Sequence, residues 1–168
     1  MGEDKELRVG VLSDTHLRGV TPALQEICER CFRGVDVVLH AGDVVSSDVV
    51  KYLEAWPFHG VYGNMDPPEV RGLLPAAKVL ELGGWRVGLT HGGGSPEGLE
   101  DRVAEVFSGE DVHIIVYGHS HRPANFLRKG VLFFNPGTAT GYSRTGSHTV
   151  GVLEMGSTVR GHIMELDV

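Results

Sequence analysis

Seven side chains able to bind a metal ion stand just after apolar, β-branched runs: Asp14 and His16 after VGVLS, Asp43 after VVLHAG, Asn64 after VYG, His91 after GLT, and His119 with His121 after IIVYG. Two carboxylates, one amide oxygen and four imidazoles form a mixed oxygen and nitrogen set. That is too many for one zinc tetrahedron and enough for two divalent ions sharing a carboxylate. Such ion pairs, about 3.5 to 4 Å apart, acidify a bridging water and clamp the attacking and leaving oxygens of a displacement at phosphorus. Singly, each residue has a plainer explanation: Asp14 can open a turn, Asn64 can take a left-handed conformation, and a lone histidine at a strand end is usually structural. Their joint occurrence, with glycine beside Asp43, Asn64, His91 and His119 to let backbone approach closely, favours metal.

The elements that must position these residues read as alternating strands and helices. Residues 7–13 form a first strand, and Thr21-Pro22 caps and starts a helix ending near Gly34. Residues 35–43 make a second strand, Ser46 or Ser47 caps a helix through Trp56, and residues 58–64 make a short third strand. Glycine and proline punctuate residues 66–75. KVLEL-GG-WRVGLT then predicts a hairpin turning at Gly83-Gly84, followed by a helix over 95–107 capped by Ser95 and a strand over 112–118. Residues 125–134, 149–154 and 158–166 read as further strands with reversals at Gly130 and Gly156. This order predicts mixed sheets covered by helices, with candidate ligands at the carboxyl ends of strands, where open α/β sheets bind ligands.

Length and charge narrow the classes. At 168 residues the chain fits one compact domain, 1–168. The formal charge is −7, with Lys and Arg dispersed, which argues against stable nucleic-acid binding. The charged start, MGEDKELR, leads into only a short apolar run, so neither a signal peptide nor a membrane span is expected, and a cytoplasmic location follows. Cys28 and Cys31 fall on the apolar stripe of the first helix with Leu24, Ile27 and Phe32, so they are expected as reduced core thiols.

In this order, SDTH (13–16), GD (42–43), GNMD (63–66), THG (90–92) and GHSH (118–121) resemble the calcineurin-like metallophosphoesterase superfamily over residues 7 to about 140. VYGHSHRP and the later NPGT (135–138) are similar to its small single-domain prokaryotic phosphodiesterases. The resemblance implies a four-layer αββα sandwich of two mixed sheets flanked by helices. It implies two divalent ions per chain, Mn²⁺ first, with Ni²⁺, Zn²⁺, Fe²⁺ or Mg²⁺ as others. Asp14, His16, Asp43 and His121 would hold one ion; Asp43, bridging, with Asn64, His91 and His119 would hold the other. The last four would also serve catalysis. The implied reaction is hydrolysis of a small phosphodiester by in-line attack of a hydroxide bridging the ions.

Many family members carry histidine directly after the GN, where it is thought to protonate the leaving group or bind phosphate. This chain has Met65, whose thioether cannot donate a proton. A diester is therefore expected over a monoester. A phosphomonoesterase or protein phosphatase remains an alternative, as does a non-catalytic, retromer-like binding scaffold of the same fold. Asp66 and His40 could orient ligands or be structural. Arg18, Arg122 and Arg144 could meet phosphate oxygens or be solvated, and an apolar patch could pair subunits into a homo-oligomer. His59, His113, His148 and His162 carry no motif and are assigned to structure.

Overall fold

The computed structural model describes residues 6–167. In chain order its elements are β1 (Leu7–Leu12), α1 (Pro22–Cys31), β2 (Val37–His40), α2 (Ser47–Leu53), β3 (Phe58–Gly60), α3 (Pro68–Arg71), β4 (Ala77–Leu82), β5 (Trp85–Thr90), α4 (Leu99–Val106), β6 (Ile114–Val116), β7 (Ala124–Arg128), β8 (Val131–Asn135), β9 (His148–Met155) and β10 (Val159–Leu166). They make two five-stranded sheets, ordered β10-β9-β1-β2-β3 and β4-β5-β6-β8-β7. Each has a parallel core, β1-β2-β3 in one and β5-β6-β8 in the other, with antiparallel strands at the flanks. Among the described residues no helix is long and apolar enough to cross a membrane.

Alternation along the strands builds the layers. Val9, Val11, Val37 and Leu39 of the first sheet meet Val87, Leu89, Ile114, Val116 and Phe134 of the second in a shared apolar core. Val38 and Val150 face the other way, onto Leu24, Ile27, Cys28 and Phe32 and onto Val49, Val50 and Leu53 of α2. Ile115 and Phe133 likewise face Leu99, Val103 and Phe107 at α4. The result is helix, sheet, sheet, helix, as expected.

Each helix layer is keyed into its sheet by a phenylalanine on a glycine. A Cβ on Gly10 would come within 2.6 Å of the Phe32 ring, and one on Gly88 within 2.8 Å of the Phe107 ring. Cys28 and Cys31 are free thiols on α1, and burial pushes the Cys28 thiol up to about 12, so it stays protonated in the core.

Several boundaries differ from the sequence reading. Thr21 caps α1 as expected, its Oγ1 accepting from the Leu24 N–H, and Ser46 caps α2 by accepting from the Asp48 N–H. However, β2, β3 and β6 are shorter than the apolar runs, because residues just past them turn into loops instead of continuing the ladders. The helix expected from Ser95 begins at Leu99: Ser95 Oγ closes a local turn on the Glu97 N–H, and Gly98 at φ +74° precedes the helix. The helix through Trp56 stops at Leu53, and α3 forms within the stretch expected as loop.

Candidate metal centre

Five of the seven candidate residues adopt left-handed backbone, φ +54° at Asp14, +49° at His16, +58° at Asp43, +73° at His119 and +63° at His121. Outside glycine this region costs free energy and persists only where surroundings hold it. Val45, at φ +77°, carries an even less favourable β-branched example. The strand ends therefore break sharply, and the breaks turn the side chains toward one another.

Both aspartates divide their oxygens between anchorage and the cluster. Asp14 Oδ2 accepts from Ser13 Oγ at 2.7 Å and from the His119 N–H at 3.1 Å. Its Oδ1 lies 3.2 Å from His121 Nε2, 3.6 Å from His16 Nε2 and 3.7 Å from His91 Nε2. Asp43 Oδ1 accepts from the Met65 N–H at 2.8 Å, while its Oδ2 lies 3.2 Å from His91 Nε2 and 3.5 Å from His16 Nε2. Five of the seven predicted residues thus converge directly, as the groups Asp14, His16, His121 and Asp14, Asp43, His91. The resemblance made Asp43 the shared residue; here Asp14 is the one common to both groups, while Asp43 Oδ2 reaches the other only through His16.

Asn64 and His119 stand beside this cluster on its more open side. Asn64 Oδ1 lies 3.2 Å from His119 Nδ1, and His119 Nε2 lies 2.7 Å from the Gly94 carbonyl. A neutral imidazole has one N–H; when Nε2–H donates to Gly94, the Nδ1 lone pair faces the Asn64 side chain. The ring of His119 meets that of His91 edge-on at 5.3 Å, which joins the two sides.

Backbone carbonyls fix the ring nitrogens. His91 Nδ1 is 2.7 Å from the Ala41 oxygen and His121 Nδ1 is 2.5 Å from the Tyr142 oxygen, so a proton at each Nδ1 leaves Nε2 to face the carboxylates. Asp14 Oδ1, His16 Nε2 and His91 Nε2 are buried and have no hydrogen-bond partner. Buried acceptors aimed at one another are costly unless something positive lies among them, and a divalent cation or protonated rings would satisfy them. A mixed oxygen and imidazole set also suits such an ion.

The electrostatics point the same way. Burial would push the Asp14 carboxyl up, but His121, His16, His91 and the Ser13 hydroxyl outweigh it and hold the group far below the usual carboxylate range. Asp43 is likewise opposed by burial and lowered by His91 and the Met65 N–H. In turn Asp43 and Asp14 raise His91 against the effect of burial, and Asp14 raises His121.

Residues around the cluster brace it. Asp66 accepts the Val45 N–H at 2.6 Å, the Gly63 N–H at 2.8 Å and the Asp43 N–H at 3.0 Å, tying two motif loops together. His40 Nδ1 accepts from the Gly42 N–H at 3.0 Å and its Nε2 lies 3.1 Å from Thr15 Oγ1. Burial keeps His40 down at about 3, hence neutral. Asn135 and Thr138, of the NPGT segment, carry no residue type or spacing that marks an individual role in the sequence. Asn135 Nδ2 donates to the Gly118 carbonyl at 3.1 Å, and Thr138 Oγ1 donates to the Asp14 carbonyl at 2.9 Å. Motif glycines leave the space: a Cβ on Gly63 would strike Asp43 Oδ1, and one on Gly118 would strike Ser13 Oγ.

Two clefts flank the cluster. One, of about 490 Å³, reaches Asn64, His91, Arg71 and Arg102; the other, of about 820 Å³, reaches His119, His121, Arg122 and Arg144. Arg18 is exposed and lines neither. Away from both, His59 pairs with Lys78, His113 Nδ1 accepts from the Arg86 N–H, and His162 meets Glu154.

Residues 7–158 match the Calcineurin-like phosphoesterase superfamily domain. A probable metallophosphoesterase of Methanothermobacter thermautotrophicus is 34% identical over 136 residues, covering 79% of this chain and 77% of that protein. A phosphodiesterase of Methanocaldococcus jannaschii is 26% identical over 164 residues, covering 88% of this chain and 93% of that one. Among solved structures, wild-type Vps29 of Entamoeba histolytica complexed with Zn²⁺ matches with a TM-score of 0.71 at 24% identity, covering 95% of this chain and 99% of that chain, a likeness of fold. Together with the converging carboxylates and imidazoles, the match over nearly the whole chain makes this protein a member of the calcineurin-like phosphoesterase superfamily, whose members include metal-binding phosphoric-ester hydrolases.

Proposed function

We propose that this chain, acting as one domain, hydrolyses a small phosphodiester with two divalent ions. Asp14, His16, Asp43 and His121 would hold one ion, and Asp43, Asn64, His91 and His119 the other. The observation that carries this reading is the set of buried, partnerless acceptors Asp14 Oδ1, His16 Nε2 and His91 Nε2, turned inward by a left-handed backbone at Asp14 and His16. Bound ions would supply Lewis acidity at the phosphoryl oxygens and an acidified water. The chain's own part is to hold the donor atoms ready: Ala41 and Tyr142 keep Nδ1 protonated on His91 and His121, and Asp66 and Thr138 fix the backbone beneath Asp43 and Asp14. Mn²⁺ fits the oxygen and nitrogen mixture, with availability deciding among ions.

The diester preference rests on Met65. Its N–H is spent on Asp43 Oδ1 and its side chain is 60% exposed beside Asn64, where it offers no proton to an alcohol leaving group. A general acid contributes about 10² to 10⁴ in rate, most for a poor leaving group. A residue other than histidine at this position resembles the diester-preferring members of the family, so turnover of bis(p-nitrophenyl) phosphate should exceed that of p-nitrophenyl phosphate at saturating Mn²⁺; the reverse order defeats the diester preference. The likeness to Vps29 structures supports a scaffold as the second reading. Asp43→Asn separates the two: unchanged metal content and no diesterase activity to lose would leave the scaffold.

A further inference from the structure

The cleft of about 820 Å³ that begins at His119 and His121 continues along the 142–147 loop. The chain carries a formal charge of −7, yet this cleft presents two arginines, Arg122 and Arg144, against one acid, Glu165. The Glu165 carboxylate is engaged by Ser147 Oγ at 3.2 Å. Among the described ion pairs neither guanidinium has a carboxylate partner. A planar fork of donors left open in this way suits phosphate oxygens.

Tyr142, 74% exposed, lines the same cleft as the two arginines. Its carbonyl is taken by His121 Nδ1, so its backbone is tied to the candidate ligand while the residue lines the cleft. The loop is fastened on both sides of this point: Gly141 N–H donates to Thr138 Oγ1 at 2.9 Å, the Gly141 carbonyl meets His148 Nε2 at 2.9 Å, and Thr140 Oγ1 donates to the Thr15 carbonyl at 2.7 Å. An exposed aromatic face on an anchored loop is a stacking platform for a heterocyclic base. A volume of this order accommodates a nucleotide-sized ligand.

We propose that this cleft seats a nucleotide portion of the substrate, its base on Tyr142 and its phosphate between Arg122 and Arg144. The inference rests on the phosphodiesterase reading and narrows the substrate to nucleotide diesters.

Binding is read without turnover by titrating the full chain, stripped of metal, with adenosine 5′-monophosphate, inorganic phosphate and adenosine. The nucleotide should bind about tenfold more tightly than either fragment. The double variant Arg122→Ala/Arg144→Ala should lose about tenfold and show a flatter salt dependence, and Tyr142→Ala about three- to tenfold. Arg30→Ala, on α1 outside the cleft, should match the wild type and controls for lost positive charge. If the double alanine variant does not fold, Arg122→Lys/Arg144→Lys keeps the charges and should still weaken the nucleotide by removing the planar fork. Equal affinity for the nucleotide and inorganic phosphate, or a folded arginine variant that binds like wild type, overturns the proposal. Hydrolysis of bis(p-nitrophenyl) phosphate in Mn²⁺ is scored separately. Turnover without nucleotide preference overturns the cleft and leaves the diesterase reading, whereas nucleotide binding without turnover supports the cleft and overturns the diesterase reading.

Discussion

The two sides of the candidate centre are built differently. Around Asp14 and Asp43 the facing atoms are buried and already within 3.2–3.7 Å of one another, with ring tautomers set by carbonyls. Around Asn64 and His119 the donor atoms have not converged: Asn64 is exposed on a turn, and His119 Nε2 is held by the Gly94 carbonyl. A site whose ligands converge beforehand loses little conformational freedom when an ion enters, while an open one must order its ligands first. The first side should therefore fill tightly and the second weakly.

The largest test of this contrast is a pair of substitutions. Asp14→Ala should abolish measurable metal uptake and cut diesterase turnover on the order of 10³-fold, whereas Asn64→Ala should cost one of two metal equivalents and a smaller share of the rate, read by elemental analysis and kinetics on the same samples. Equal metal loss in both variants would erase the distinction between the sides.

Next in size is the brace. Asp66→Asn can no longer accept all three N–H groups with charged oxygens, so Asp43 and the strained Val45 should drift and metal affinity should fall about 10- to 100-fold. Because Asp43 would serve both ions and Asp66 also holds the Gly63 N–H beside Asn64, calorimetry should show the loss in both classes of site.

Protons sharpen the comparison further. His91 and His121 are raised above 6.5 by the carboxylates in the metal-free chain, so their ion pairs add stability that is full below pH 6.5 and fades as pH rises through the raised values. Asp14 and Asp43 are lowered, and their contribution is present above about 3.8 and is lost as pH falls through the lowered values. Metal must displace the histidine protons. Affinity at the converged side should weaken by up to about tenfold per pH unit per displaced proton as pH drops below those raised values, with protons released on binding. Calorimetry in buffers of different ionisation enthalpy counts them, and a count of zero contradicts the picture.

The smallest effect lies in the scaffold. Gly88→Ala and Gly10→Ala each force a Cβ onto a phenylalanine ring and should each lower stability by about 1–3 kcal/mol, measured by denaturant melts, with metal stoichiometry unchanged. A loss of stoichiometry would mean that core packing alone aligns the strand ends.

Much of this architecture was readable from residue order. The unbroken apolar runs at 37–39 and 114–116 betray strands buried on both faces, and Thr21-Pro22 marks a helix start. The start of α4 was not readable, because Ser95 caps a turn as well as it would cap a helix and nothing local shows that Gly98 adopts φ +74°. At the candidate site, residue types at strand exits were legible, since few other roles want His, Asp and Asn there together. Their supports were not: Ala41, Gly94 and Tyr142 act through carbonyl oxygens that every residue possesses, so only the folded chain distinguishes them.

The Tyr142 carbonyl joins two regions that a change in either must affect. It accepts a hydrogen bond from His121 Nδ1 and belongs to a residue that lines the large cleft, so an occupant that shifted this residue would also alter how strongly the imidazole can donate electrons to a cation. Thermodynamic reciprocity then applies: by whatever factor a bound cation changes affinity for an occupant of the cleft, the occupant must change affinity for the cation by the same factor.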